Sequence, residues 1–586
     1  MNRKSLNILF IGAVAFAVYS NALSNGFVYD DLQTVLNNPW IRDIRNIPEV
    51  FSSNLWGFKG EASNYYRPLS SVFAMLLFKL CGTAPFGYHL LSVLSHAGVS
   101  VLVLLISSRL IPGRSGSDPV SFSSPAFIAA LLFAAHPIHT EAVAWSGAFT
   151  ELSFALFYLL SFYFYVRYAE GYKKGLLFSA VFFLASALCK ETALTLPALI
   201  IAYDYIFREG EGDNVARVKR YSPYIAVAGI YLTARFLVLG GFAPVEQHAE
   251  LTIYRQLINI PPLFAEYLEK LILPVDLSVF HVFHPIKSFG EMGGIISLLC
   301  SAAFVSLAFA VRKKDKVVLF GLFLLLVPLL PAFYLQGLSD NVFAERYLYL
   351  PSFGFVLLVS SLTERISNKR ARSIVALMLA AVLCVYSFGT IKRNAVWKDD
   401  YTLWSDAVKK SPDSYVAYDS LGAAFFRRGR PDEAVKCFGT ALKLKPDDAM
   451  AHYDLGDVYA GTGLTDPAIE QFQAAIRSRP DYVNAHDALG VAFGSKGLVA
   501  EAVRQFEIAA SLRGNDPVLH YKLGTAYGQS GMLDKAVEQL RIAVKLNPGY
   551  AEAHYNLGVV YSKEGEKSKA LAQFAAASSL NNTVKN

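Results

Sequence analysis

Charge is scarce in this chain. Only 17% of its 586 residues are charged against 54% hydrophobic, and the mean hydropathy is +0.35, which excludes one soluble domain and, at this length, a single core. Cysteine is scarcer still. Cys81, Cys189, Cys300, Cys384 and Cys437 are scattered, form no C-x-x-C pair and lie mostly in apolar runs, so neither a disulfide framework nor a zinc site is implied. No phosphate-loop glycine pattern, H-E-x-x-H helix or nucleophile elbow occurs, which disfavours an NTP-driven transporter.

What is present is a series of apolar runs of membrane-spanning length up to about Arg393, then a polar and regular text beyond Trp397. The runs predict eleven transmembrane helices, at 6–23, 86–108, 124–137, 150–167, 174–189, 192–207, 221–240, 291–311, 317–335, 347–362 and 373–391. Residues 6–23 could pass for a signal peptide behind a basic start, but the stretch is long for one and reads as a retained first helix. Residues 254–275 contain Pro261, Pro262, Glu266, Glu269 and Lys270, and read as an interfacial helix.

With Arg3 and Lys4 on the cytoplasmic side, parity puts Arg109 and Arg114, Arg167 with Lys173 and Lys174, the basic residues of 208–220, those of 312–316 and those of 365–372 there too. The net charge of +7 is then explained by loop placement, and nucleic acid is not a partner. On the other face lie the long first loop 24–85 with Asp30, Asp31 and Arg67, the segment from His136 to Glu151, Lys190 with Glu191, and Glu345 with Arg346. Ionisable residues so close to lipid pair with one another or line a cavity for a polar substrate.

Beyond a linker at 394–413, Leu-Gly recurs at 421, 455, 489, 523 and 557, a step of 34, and Ala434, Ala468, Ala502, Ala536 and Ala570 keep the same register. That is the tetratricopeptide (TPR) period, so 414–586 reads as a solenoid of five repeats with a concave surface for peptide or protein. His452, His486, His520 and His554 repeat with it and read as packing residues rather than metal ligands.

Several residues could carry chemistry. Asp30 or Asp31 could act as a general base on a hydroxyl, although Asp30 followed by Gln33 also fits a capping box. His139 and Glu141 match no standard helical metal spacing, and with His136 and Glu151 they suit a hydrogen-bonded polar helix end. Lys190 with Glu191, and Glu345 with Arg346, could be self-neutralising neighbours, while Arg67, Arg235 and Arg346 could form a phosphate clamp.

The segments Y-D-D (29–31), Y-R-P-L (66–69), H-P-I-H-T-E-A-V-A-W (136–145), C-K-E-T-A-L-T-L-P (189–197), L-P-V-D-L-S (273–278) and A-E-R-Y-L-Y-L-P (344–351), followed by TPR repeats, resemble the transmembrane-and-TPR O-mannosyltransferases of the GT-C superfamily, in a bacterial-type form. The resemblance implies an all-α fold, a polytopic GT-C bundle over 1–393 ahead of the solenoid. It implies a polyprenyl- or dolichyl-phosphate-linked mannose donor and inverting, metal-independent transfer to Ser or Thr hydroxyls on the periplasmic or luminal face. Carried over by position, Asp30 or Asp31 is the base, Arg67, Lys190 and Arg346 meet the lipid phosphate, and Glu141, Glu151, Glu191 and Glu345 orient them. The repeats then hold the acceptor protein. One position departs: residues 146–152 read S-G-A-F-T-E-L where the family pattern has Gly-Arg-x-Glu-Leu, and Phe149 stands near the missing arginine. Rival readings are a membrane-tethered TPR scaffold, and a GT-C enzyme that moves another lipid-linked sugar to a glycan.

Overall fold

The computed structural model describes residues 3–111, 120–122, 124–208, 214–244, 252–334, 341–366 and 368–583. Arg114 and the side chains of Arg3, Lys4 and Lys369 fall outside them. The described residues are helical with no strand, and the chain divides into two compact units, Met1–Pro412 and Asp413–Asn586.

The first unit is a multi-pass membrane assembly. Among the described residues seven helices are long and apolar enough to cross a bilayer, and the bent pair Pro125–Ala135 and Pro137–Ala144 makes an eighth. The 48° bend falls at His136, which the following proline holds out of the helical region at φ −66°, ψ 126°. All eleven predicted runs fall on helices, but Gly175–Cys189, Leu196–Phe207 and Pro351–Glu364 are shorter than the roughly 20 residues a straight crossing needs. The predicted loop 24–85 contains a further apolar helix, Pro68–Cys81. Residues Ile253–Ile272 bury Ile258, Leu263, Phe264, Tyr267 and Leu271 and leave Ile253, Tyr254 and Leu257 exposed, an amphipathic arrangement.

Small residues let two of the helices meet backbone to backbone. A methyl group on Gly354 would stand 2.5 Å from the Gly321 carbonyl oxygen and 2.5 Å from the Leu325 nitrogen, so Lys316–Leu326 and Pro351–Glu364 can touch only while that position is glycine. Gly354→Ala is therefore expected to cost about 1–3 kcal/mol, read as a lower thermal midpoint of the detergent-solubilised protein. An unchanged midpoint would mean the helices shift apart freely.

The segment 394–413, expected as a linker, is ordered. Trp397 is fully buried, and Asp400–Lys410 is a helix opened by a capping box of Asp399 with Thr402 and burying Leu403, Trp404 and Ala407 inside the first unit.

The second unit is a stack of five helix pairs, from Tyr415–Arg427 with Pro431–Leu444 to Ala551–Lys563 with Lys567–Thr583. Its sequence logic is local. A Cβ at Gly422, Gly456, Gly490 or Gly558 would come within 3 Å of the Phe438, Phe472, Phe506 or Phe574 ring, which is why the Leu-Gly step keeps glycine. The repeating histidines are hydrogen-bonded locks rather than packing groups: His452 bonds Gln471 at 2.8 Å and the Pro446 carbonyl at 3.0 Å, and His486, His520 and His554 repeat the arrangement.

Candidate functional site

The loop after the first helix is fastened by the segment that follows the last membrane helix. The Gly26 amide donates to the Lys398 carbonyl at 2.9 Å, the Asn25 side chain to the Asn394 carbonyl at 3.0 Å, and the Tyr29 amide to Asp400 Oδ1 at 2.8 Å. Tyr29 sits at φ +55°, a conformation a bulky residue adopts only when its surroundings enforce it. Trp145 and Trp404 supply that enforcement, with ring centroids 5.3 and 5.4 Å from the Tyr29 ring.

The two aspartates next in the chain are placed differently. Asp31 is fully buried, and its Oδ2 accepts the Val28 amide at 3.1 Å; burial, with the charges of Asp30 and Asp400, pushes its carboxyl well above the ordinary range. Asp30 is partly exposed. Its backbone carbonyl accepts the Gln33 and Thr34 amides, so the side chain makes no capping box. Burial raises the Asp30 carboxyl to about 6, held from going higher by the positive charges of Arg346 and Lys59.

Arg346 leads from this loop into a cavity. It ion-pairs with the buried Glu141 through Nη1, its amide donates to Glu141 Oε2 at 2.9 Å, and the guanidinium lies 5.5 Å from the Trp145 ring and 5.1 Å from the Tyr347 ring. Tyr347 also faces Lys190 Nζ at 4.8 Å, and it lines a cavity of about 360 Å³. Five charged residues share that lining: Arg67, Lys190 and Arg235 against Glu151 and Glu191. The opposite wall is apolar, made by Phe154, Pro328, Pro331, Ala332, Leu350 and Pro351. A larger cavity of about 530 Å³ between Pro125–Ala135 and Lys369–Asn394 is mainly apolar, with Glu364 and Arg372 at its edge, and lacks this concentration of charge.

The charges are not neighbour-paired. Lys190 pairs with Glu151 from another helix, while Glu191 takes Arg67 in a two-point contact (2.6 and 3.1 Å) and stands 4.0 Å from Arg235. Burial alone would raise Glu191, but the Arg67 charge and hydrogen bonds, helped by Arg235 and Lys190, hold it down to about 2. Burial and the Arg67 charge lower the Lys190 ammonium, against the pull of Glu151. Arg235 also donates to the Asn64 and Phe242 carbonyls at 2.6 and 3.0 Å, which fixes it at the rim.

Of the expected site residues, Asp30, Asp31, Glu141 and Arg346 do not line the cavity themselves, and His136, His139 and Glu345 are engaged elsewhere. His136 is fully buried, with Nδ1 accepting the Ile138 amide and Nε2 at 3.1 Å from the Leu271 carbonyl; His139 is fully buried against Ser352 Oγ at 2.7 Å. They hold the bend of the broken helix. Glu345 accepts the Ser278 amide and meets His281 Nε2 at 3.0 Å, so it fastens the 273–281 segment. Sequence reasoning passed over Lys59, Tyr347, Asp400 and Trp404; only Tyr347 carried a signal, its place in the A-E-R-Y-L-Y-L-P run. Among the described residues no three His, Cys, Asp or Glu side chains cluster as metal ligands would.

Comparison with known proteins fits both units. Tetratricopeptide repeat models match residues 420–483, 463–517 and 551–583, and a TPR repeat model matches 526–565. Protein O-mannosyl-transferase TMTC3 of Mus musculus is 27% identical over 477 residues, 74% of this chain and 50% of that protein. The chain is similar to proteins named protein O-mannosyl-transferases. TMTC4 of Homo sapiens is 25% identical over 487 residues, 73% of this chain and 65% of its own length. The chain thus spans about half the length of the TMTC3 proteins it matches. Among solved structures, the TPR protein YrrB superposes on 30% of this chain and 91% of its own, at 24% identity and a TM-score of 0.29.

Proposed function

We propose that the chain is a membrane glycosyltransferase that moves mannose from a polyprenyl-phosphate donor to Ser or Thr hydroxyls of a protein, on the non-cytoplasmic face. The observation that carries the reading is a cavity holding three cations and two carboxylates, joined through Tyr347 and Arg346 to a partly exposed aspartate. One positive charge in excess suits a phosphate diester, and the apolar wall suits the first units of its lipid tail. The names of the relatives support the sugar and the protein acceptor.

The step follows from the groups present. The Asp30 carboxylate takes the acceptor hydroxyl proton as that oxygen forms a bond to the sugar anomeric carbon. On the opposite side the bond from that carbon to the donor phosphate breaks, and the lipid phosphate leaves with the electron pair. Arg67, Lys190 and Arg235 meet the developing charge in a site partly screened from water, where fixed cations act most strongly. Direct displacement inverts the anomeric centre, and the chain's own cations do the work with no metal required. Purified protein given polyprenyl-phosphate mannose and a Ser/Thr-rich peptide should produce mannosyl-peptide. Failure with every lipid-phosphate sugar tried would sink the proposal and favour a scaffold.

The acid limb of the pH profile follows with its sign. A base works only when deprotonated, so the rate constant should climb about tenfold per pH unit below 6 and level off above it. The bend should lie near the Asp30 value of about 6. A profile flat from pH 4.5 to 8 would remove a carboxylate from the step.

A further inference from the structure

The five repeats are not equivalent in charge, and their own symmetry shows what one of them lacks. Two repeats apart, Asp419, Tyr453 and Tyr482 correspond to Asp487, Tyr521 and Tyr550, each 68 positions on. The aromatic parts match in space: the Tyr453 and Tyr482 rings are 5.3 Å apart and the Tyr521 and Tyr550 rings 5.0 Å. One position differs. Lys522 stands where the earlier repeat has Asp454, and Lys522 Nζ bonds both oxygens of Asp487 at 2.8 and 2.7 Å.

In the earlier repeats the same two positions therefore hold two carboxylates. Asp419 is 8% exposed, and its Oδ1 has no hydrogen-bond partner, an arrangement proteins avoid because a buried carboxylate without a donor is costly. Burial and the charge of Asp457, one turn further along, raise Asp454 to about 7 against the opposing pull of Arg427. The nearby Asp448 is already occupied, pairing with Lys445 at 3.1 Å and capping Ala449–Gly461. Burial, with the charges of Asp454 and Asp448, in turn pushes the Asp419 carboxyl upward, so Asp419 and Asp454 act on one another as like charges where the later repeats set Lys522 against an aspartate.

We propose that Asp419 and Asp454, on the first helices of repeats one and two, receive a lysine or arginine side chain of a bound protein segment. The guest cation takes the place that Lys522 fills two repeats later. Tyr453 and Tyr482 stand near enough to feel the charge of Asp454, and Arg479, 3.7 Å over the Tyr482 ring, shows that a cation is already held beside them. That the partner is cationic depends on the repeats alone. That the partner is the acceptor rests on the glycosyltransferase reading, and makes the cleft a selector of hydroxyls near a basic residue.

The test uses the full-length protein in nanodiscs and two fluorescent Ser/Thr decapeptides, one with a central lysine and one with norleucine there, read by anisotropy without donor. The lysine peptide should bind at least about tenfold tighter. Asp454→Lys, which installs the pair already present in repeats three and four, should erase the preference without lowering the thermal midpoint, and Asp419→Asn should weaken it. Asp534→Lys, on an exposed position of the fourth repeat, controls for net charge and should keep it. Equal binding of the two peptides, or an undiminished preference in Asp454→Lys, overturns the assignment. Lysine-selective binding without transfer from any donor would sink the enzyme reading and leave the cleft, whereas transfer without lysine preference would sink the cleft alone.

Discussion

Asp30→Asn should lower mannosyl transfer by about 10²–10⁴-fold, the usual worth of a positioned general base, with the thermal midpoint unchanged or slightly raised. The carboxyl is partly exposed and accepts no hydrogen bond among the described residues, so the isosteric amide leaves no partner unsatisfied. Asp31 should behave in the opposite manner. Its Oδ2 is buried and holds the Val28 amide, so Asp31→Ala should cost about 1–3 kcal/mol of stability, with lost activity following from a loosened loop. The decisive measurement is the pH dependence of whatever activity remains. If Asp30→Asn retains near-normal turnover with the same bend near pH 6, the proton goes elsewhere and the assignment of the base is wrong.

Arg346→Met should be the most damaging single change in the membrane unit. It leaves Glu141 buried without its cation, a loss of about 3–5 kcal/mol for a broken buried pair, and it removes the charge that acts on Asp30. Stability and transfer should therefore fall together. The double variant Glu141→Gln with Arg346→Met separates the two roles, because two neutral groups of similar size need no mutual charge. It should recover most of the midpoint while transfer stays low. Recovery of both would show that Arg346 serves only to neutralise Glu141, and its action on Asp30 would go.

The repeats were readable at the level of single residues because their rules are local: a 34-residue step and a glycine against an aromatic ring; the structure adds a left-handed glycine in the turn between the two helices of each pair, at φ between 70° and 82°. The membrane half was readable only as runs. Its ionisable residues were recognisable as a set, but not their partners. Lys190 with Glu191 and Glu345 with Arg346 look self-neutralising in sequence, yet neighbours at the start of a 3-10 turn point in different directions. Each finds its partner on another element, Glu151, Arg67, His281 or Glu141, at separations from 39 to 205 residues. No local pattern encodes such pairing, since the helices that bring the partners together are specified by apolar faces elsewhere. The buried histidines form the hydrogen-bonded helix end that their spacing suggested, but the spacing did not tell which way they face: at the end of a span a polar residue can turn toward solvent or toward a partner across a bend, and His136 and His139 turn inward.

The fastening of Tyr29 by Lys398, Asp400 and Trp404 has a consequence for synthesis. Ten or more helices must already have left the ribosome before the residues that hold the aspartate loop in its left-handed bend exist at all. A nascent chain that has made only the membrane helices carries every ionisable group of the cavity, yet the loop that bears Asp30 and Asp31 is not held. The bend is completed only when translation reaches residues 398–404, so on the proposed reading transfer could begin no earlier than the point at which the repeats are about to emerge.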